Sequence, residues 1–162
     1  MHKLVYLSLG SNVGDRAANL RSAIDRLGTL GEVMAVSSFY ETEPVEFTAQ
    51  PWFLNCAVKL RTEKMPGQLI RGVLDIEKKM GRRRVQNKGP RLIDIDILLF
   101  GNSVIETEDL TIPHPAMHTR RFVLEPLAEI AAETRHPELK RTIRELQDAL
   151  PAGQKVRRRP DV

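Results

Sequence analysis

A chain of 162 residues suits one domain with a buried core. Its 41% hydrophobic and 28% charged residues argue against disorder. A net charge of +4 favours anionic partners in general, whether nucleotide, phosphate, nucleic acid or acidic lipid, without choosing among them.

The run from Lys155 to Arg159 holds four of the positive charges and reads as a solvated tail, so the overall basicity carries little weight. Cys56 is the single cysteine, which excludes a disulfide within the chain and fits a reducing compartment. The apolar stretch at the N-terminus is too short and too interrupted for a signal peptide or a membrane span. The expectation is a cytoplasmic protein, monomeric, with one domain across 1–162 and a basic tail at about 155–162.

In chain order, Leu4 to Leu9 reads as a strand leading into the turn Gly10-Ser11-Asn12. From Asp15 the period changes, with Ala17, Leu20, Ile24 and Leu27 at helical spacing and Gly28 as the stop. Val33 to Tyr40 is predicted as a second strand, residues 41–51 as a loop broken by Pro44 and Pro51, and Phe53 to Leu60 as a third strand. Pro66 opens a second helix, whose stripe of Leu69, Ile70, Val73, Leu74, Ile76 and Met80 ends at Gly81. A basic loop covers 82–90, and Arg91 to Phe100 is the clearest strand. Gly101-Asn102 makes a turn after which Val104-Ile105 pairs back, and Pro113-His114-Pro115 is a stiff loop. Phe122 to Ala132 and Leu139 to Leu150 are predicted helices.

This order is β-α-β-β-α-β with helical additions. It predicts an α+β, ferredoxin-like antiparallel sheet with helices on one face and the other face open to bind something. Such a fold hosts many functions, so function must be argued from the site.

The sharpest feature lies in the strand from Arg91 to Phe100. Side chains alternate along a strand, so Asp94 and Asp96 share one face, about 7 Å apart at Cα, while Ile93, Ile95, Ile97 and Leu99 take the other. That spacing lets both carboxylates reach one hard cation or a close pair. The segment alone equally allows an ordinary half-buried strand with polar residues facing water, although aspartate is a poor strand former. Arg82, Arg83, Arg84, Lys88 and Arg91 precede the pair, and His114, His118, Arg120 and Arg121 follow it. Acids flanked by basic loops suit a magnesium–polyphosphate complex. The competing readings are a solvated charge run and direct arginine–aspartate pairing.

Glu77 falls within an apolar helical stripe and needs a partner or a purpose. Asn55, beside Phe53, offers an amide and a ring suited to a heterocycle, though a strand asparagine is usually a surface residue. There is no Walker loop, dinucleotide fingerprint, Cys/His zinc cluster or nucleophile elbow.

These residues lie in stretches that resemble a known family: Leu7-Ser8-Leu9-Gly10-Ser11-Asn12, Val36 to Thr42, Phe53-Leu54-Asn55, Gly89 to Gly101, Thr111 to Pro115, and Arg120 to Leu127. In order, they are similar to the 6-hydroxymethyl-7,8-dihydropterin pyrophosphokinases of folate biosynthesis, over about residues 4–132. The segment G-P-R-x-x-D-x-D is the most specific.

The resemblance implies ATP as co-substrate, two magnesium ions held by Asp94 and Asp96, and a pterin bound by Asn55 between Phe53 and Phe122. Thr42 and Val45 match loop positions whose backbone contacts the pterin. Arg82 and Arg91 match arginines that hold phosphate and assist transfer, and Glu77, Thr111, His114 and Arg120 match positions lining the ATP site. The implied reaction is in-line attack of the pterin hydroxymethyl oxygen on the β-phosphorus, with AMP leaving. Mobile loops are expected at residues 10–15, 43–51 and 82–90, closing to exclude water. Lys88 and Pro115 depart from positions where some members carry tryptophan and tyrosine.

Two rivals remain at this point. An RNA-binding module would place aromatics, not aspartates, on the open sheet face, and aromatics are only 5% of the chain. A metal-dependent nucleotidyl transferase or cyclase could use the same aspartate pair but would release pyrophosphate.

Overall fold

The strand β1 (Lys3–Ser11) sets the frame, because its alternation sends Val5, Leu7 and Leu9 to one face and Tyr6, Ser8 and Gly10 to the other. A computed structural model describes residues 1–44, 49–81 and 92–162. After β1 come α1 (Arg16–Leu27), β2 (Glu32–Val36), β3 (Phe39–Thr42), β4 (Phe53–Thr62), α2 (Pro66–Lys79) and β5 (Asp94–Phe100). The short strands β6 (Ile105–Glu106) and β7 (Thr111–Ile112), the helices α3 (Arg121–Ala131) and α4 (Ile143–Asp148), and β8 (Val156–Arg159) complete the order.

The main sheet runs β5-β1-β4-β3-β8, with β2 also paired to β4. β1 is antiparallel to both β4 and β5. This is the predicted ferredoxin-like core.

α1 starts where predicted: the Asp15 carboxylate accepts the Ala18 N–H at 3.1 Å, satisfying one orphan donor of the first turn. It buries Leu20, Ala23 and Leu27. α2 opens on Pro66 and buries Leu69, Val73, Ile76 and Glu77, leaving Leu74 exposed, so the true stripe is rotated from the predicted one. Both helices pack on the face of Leu7, Leu54, Cys56, Val58, Ile95 and Ile97.

Further expectations are corrected. The stretch predicted as one strand over 33–40 is two strands, interrupted at Ser37-Ser38. Ser37 Oγ accepts the Ala57 N–H at 2.8 Å there, so a side chain replaces a ladder bond. Leu99 does not face α1 and α2. Tyr6 lies opposite Leu99 but Leu7 opposite Ile97, so Leu98 is an extra residue, a bulge that moves Leu99 to the other face and Phe100 to the helix face. Ile105 pairs with Ile112 in the small β6–β7 hairpin rather than back onto β5.

The helix predicted over 139–150 shortens to α4, because Thr142 and Glu145 form a reciprocal cap at its start. Lys155 to Arg159 is not a free tail. Residues 156–159 form the edge strand β8 against β3, and Arg157 and Arg159 pair with Glu41 at 2.7 and 3.3 Å. The basic loop 82–90, Arg91 and Val45 lie outside the described residues.

The second sheet face is only partly covered. Tyr6, Ala57, Leu98 and Leu99 lie under Val123, Leu124 and Leu127 of α3, with Ile143 and Leu146 of α4 behind. Tyr40 Oη and the Ser38 N–H both donate to Glu129, at 2.6 and 2.9 Å, and so dock α3 over β3. The uncovered remainder lies over Ser8, Gly10, Asn55, Asp94 and Asp96. Among the described residues, no helix is long and apolar enough to cross a membrane.

Candidate active site

The strand register assembles the site. Gly10 of β1 lies opposite Asn55 of β4 on one side and Asp94 of β5 on the other, while Ser8 lies opposite Ala57 and Asp96. The two aspartates therefore project from the open face, both half-buried. They share one pocket with Thr42, Phe53, Asn55, Arg120 and Phe122, residues that reach it from β3, β4 and the start of α3.

Asn55 is almost fully buried and its orientation is set. Thr42 Oγ1 donates to Oδ1 at 2.5 Å, and Nδ2 donates to the Leu9 carbonyl at 3.2 Å. A primary amide offers two lone pairs and two hydrogens, so these bonds use half of its capacity. The Arg120 guanidinium lies 5.5 Å from the centroid of the Phe122 ring, holding a cation beside the aromatic wall. Phe53 supplies a second ring to the same pocket.

Glu77, Thr111 and His114 do not line this pocket. Glu77 is buried, and its Oε2 accepts the Ile95 N–H at 2.8 Å, directly between the two aspartates in sequence. Thr111 sits in β7 opposite Glu106. The His114 N–H donates to the Leu98 carbonyl at 3.0 Å, and its Nδ1 accepts the Ala116 N–H at 3.2 Å, fixing the loop against β5. Val45, Arg82 and Arg91 fall outside the described residues.

Several lining residues escaped the sequence reading. Gly10 was expected in a mobile loop but belongs to β1, where a Cβ would stand 2.5 Å from Asn55 Nδ2. Its signal was a glycine at the end of a strand pattern, which marks a close approach. Gln50 also lines the pocket and accepts from Asn12 Nδ2 at 2.8 Å, tying the segment after β1 to the one between β3 and β4. Gln154 reaches the pocket from beyond α4, and no local pattern marks it.

Among the described residues, no group of three or more histidine, cysteine, aspartate or glutamate side chains is placed to hold a metal. Two carboxylates alone fit a hard cation that keeps waters and takes its other oxygens from a phosphate, as magnesium does.

Residues 6–132 match the family model described as 7,8-dihydro-6-hydroxymethylpterin-pyrophosphokinase. The 2-amino-4-hydroxy-6-hydroxymethyldihydropteridine pyrophosphokinase of Bacillus subtilis is 47% identical over 135 residues, covering 82% of this chain and 81% of that protein. The folic acid synthesis protein fol1 of Schizosaccharomyces pombe is 41% identical over 153 residues, which cover 93% of this chain but only 21% of fol1. A crystal structure of Plasmodium falciparum HPPK-DHPS with pterin and p-hydroxybenzoate shares the fold, with a TM-score of 0.76 at 20% identity over 91% of this chain and 44% of that one.

Proposed function

The chain belongs to the 7,8-dihydro-6-hydroxymethylpterin-pyrophosphokinase family, and from that premise we propose that it transfers the pyrophosphoryl group of ATP to 6-hydroxymethyl-7,8-dihydropterin in tetrahydrofolate biosynthesis. The observation that carries this reading is one pocket joining the aspartate pair to a buried amide and two aromatic rings.

In this reading Asn55 recognises the edge of the pterin, with Thr42 beside it and Phe53 and Phe122 stacking on its faces. Arg120, with Arg82 and Arg91, holds the anionic phosphates, and Glu77, Thr111 and His114 shape the nucleotide side. Val45 adds a backbone contact to the pterin. Asp94 and Asp96 would hold two magnesium ions. Magnesium bound there would neutralise charge on the phosphate oxygens.

The hydroxymethyl oxygen forms a bond to the β-phosphorus, and the bond from that phosphorus to the α,β-bridging oxygen breaks. AMP leaves with that oxygen, and the hydroxyl proton passes to a pocket carboxylate. Alignment of the two substrates supplies much of the rate.

The test is phosphorus NMR of the products formed from ATP, magnesium and the pterin alcohol. Formation of AMP and the pterin diphosphate supports the reading. Release of free pyrophosphate would identify a nucleotidyl transferase or cyclase instead.

A further inference from the structure

Gln154 lies beyond residue 132, where the matched family model ends, yet its side chain lines the same pocket as Phe53, Asn55 and Phe122. Both ends of its amide are engaged across that pocket. Nε2 donates to the Glu43 carbonyl, and Oε1 accepts the Phe122 N–H at 3.1 Å. The Phe122 N–H is a first-turn donor of α3, and Arg120 at the helix start provides no side-chain cap. Gln154 supplies that missing acceptor from the far end of the chain.

Neighbouring bonds fix where Gln154 stands. The Glu43 N–H donates to the Lys155 carbonyl at 3.0 Å, and the Lys155 N–H donates to the Glu43 carboxylate at 3.3 Å. One residue later β8 begins, with Val156 opposite Thr42. Thr42 in turn holds Asn55. The C-terminal segment therefore links the wall carrying Phe122 to the wall carrying residues 42–43.

We propose that Gln154 is a positioning residue for the acceptor: it sets the separation and orientation of the Phe122 wall relative to the Glu43 wall, and so the affinity for a planar pterin-like heterocycle. This rests on the reading of the pocket as the pterin site. A slot between two aromatic rings binds a flat ring only at a width near stacking contact on both faces, and Glu43 follows Thr42, which pairs with Phe53, so a group that ties Phe122 to Glu43 bears on that width. The hydrogen bonds of the Gln154 side chain run to Glu43 and Phe122 and none runs to β5, so pterin affinity depends on it more than nucleotide affinity does.

The experiment compares the full chain with Gln154→Ala, using calorimetry with hydroxymethyl-dihydropterin alone and with a non-hydrolysable ATP analogue plus magnesium, alongside steady-state kinetics and a thermal melt. Loss of both amide bonds is expected to weaken pterin binding and raise its KM about tenfold, the factor that corresponds to about 1.4 kcal/mol. The nucleotide affinity, and kcat at saturating pterin, should stay within about twofold. Gln154→Glu keeps the acceptor for Phe122 and loses the donor to Glu43, so it should fall between the two. It carries the same comparison if the alanine variant does not fold.

Equal weakening of both ligands would overturn the proposal in favour of a purely structural role. Unchanged pterin affinity in Gln154→Ala, with weakened affinity in Asn55→Ala measured beside it, would overturn this proposal alone. Unchanged affinity in both variants would remove the pterin reading of the pocket and the proposal with it.

Discussion

Glu77 Oε2 accepts the backbone N–H of Ile95 at 2.8 Å, so a buried carboxylate from α2 holds β5 at the residue that separates Asp94 from Asp96. A strand at the edge of a sheet has alternate N–H groups without a neighbouring strand, and burying one without an acceptor costs about 1–3 kcal/mol. Glu77→Ala is therefore expected to lose about 2 kcal/mol of stability in a urea titration, and to weaken magnesium-dependent nucleotide binding because the aspartates lose their support. Glu77→Gln keeps an oxygen at that place and should lose less on both counts. An alanine variant as stable as the parent would show that this bond does not hold the strand.

Asp96 lines the open pocket and contributes no apolar burial to either core cluster. Asp96→Ala is expected to melt close to the parent while transfer activity falls by about a thousandfold, the scale of losing a charge-organising group at a phosphoryl-transfer site. Activity surviving at a tenth of the parent level, with a normal melt, would exclude Asp96 as a metal ligand.

Much of this site was readable because strand alternation is a strict rule. The spacing of Asp94 and Asp96 puts them on one face because no bulge falls between them. The helix starts at Asp15 and Pro66 were equally legible, since capping and proline chemistry are local. Leu99 was misplaced because a bulge at Leu98 shifts the alternation, and its cause lies in the pairing with β1 rather than in the strand itself. Lys155 to Arg159 read as a tail because its anchor, Glu41, is more than a hundred residues away. Gln154 was invisible for the same reason: both its partners, Glu43 and Phe122, are brought to it by the fold.

Gly10 offers a steric test of the register. A Cβ there would lie 2.5 Å from Asn55 Nδ2, and Asn55 cannot swing aside without breaking its bonds to Thr42 and Leu9. Gly10→Ala should cost about 1–3 kcal/mol, as overpacking does, and weaken pterin binding. The double variant Gly10→Ala with Asn55→Ala should regain most of the stability without regaining pterin affinity, which denaturation and calorimetry would read separately. Stabilities that simply add would mean that the two positions do not meet.

The β8 anchor predicts an acid-dependent stability. Hydrogen bonding from Arg157 holds the Glu41 carboxyl below its ordinary value of 4.5, burial opposes this, and Arg16 and Arg159 add to the lowering. A carboxyl with a depressed folded-state pKa contributes stability that is present above its unfolded value. That contribution is lost as pH falls through the folded value. Glu41→Gln should therefore be less stable than the parent at pH 7, by about 1 kcal/mol for a network still partly open to water at its arginines. The gap should close as the pH is lowered below 4.5, where the parent's own Glu41 becomes protonated. Chemical denaturation of both proteins at a series of pH values reads this directly. A gap that stays constant down to full protonation would mean that the ion pairs to β8 contribute nothing, and that backbone pairing with β3 alone holds the C-terminal strand.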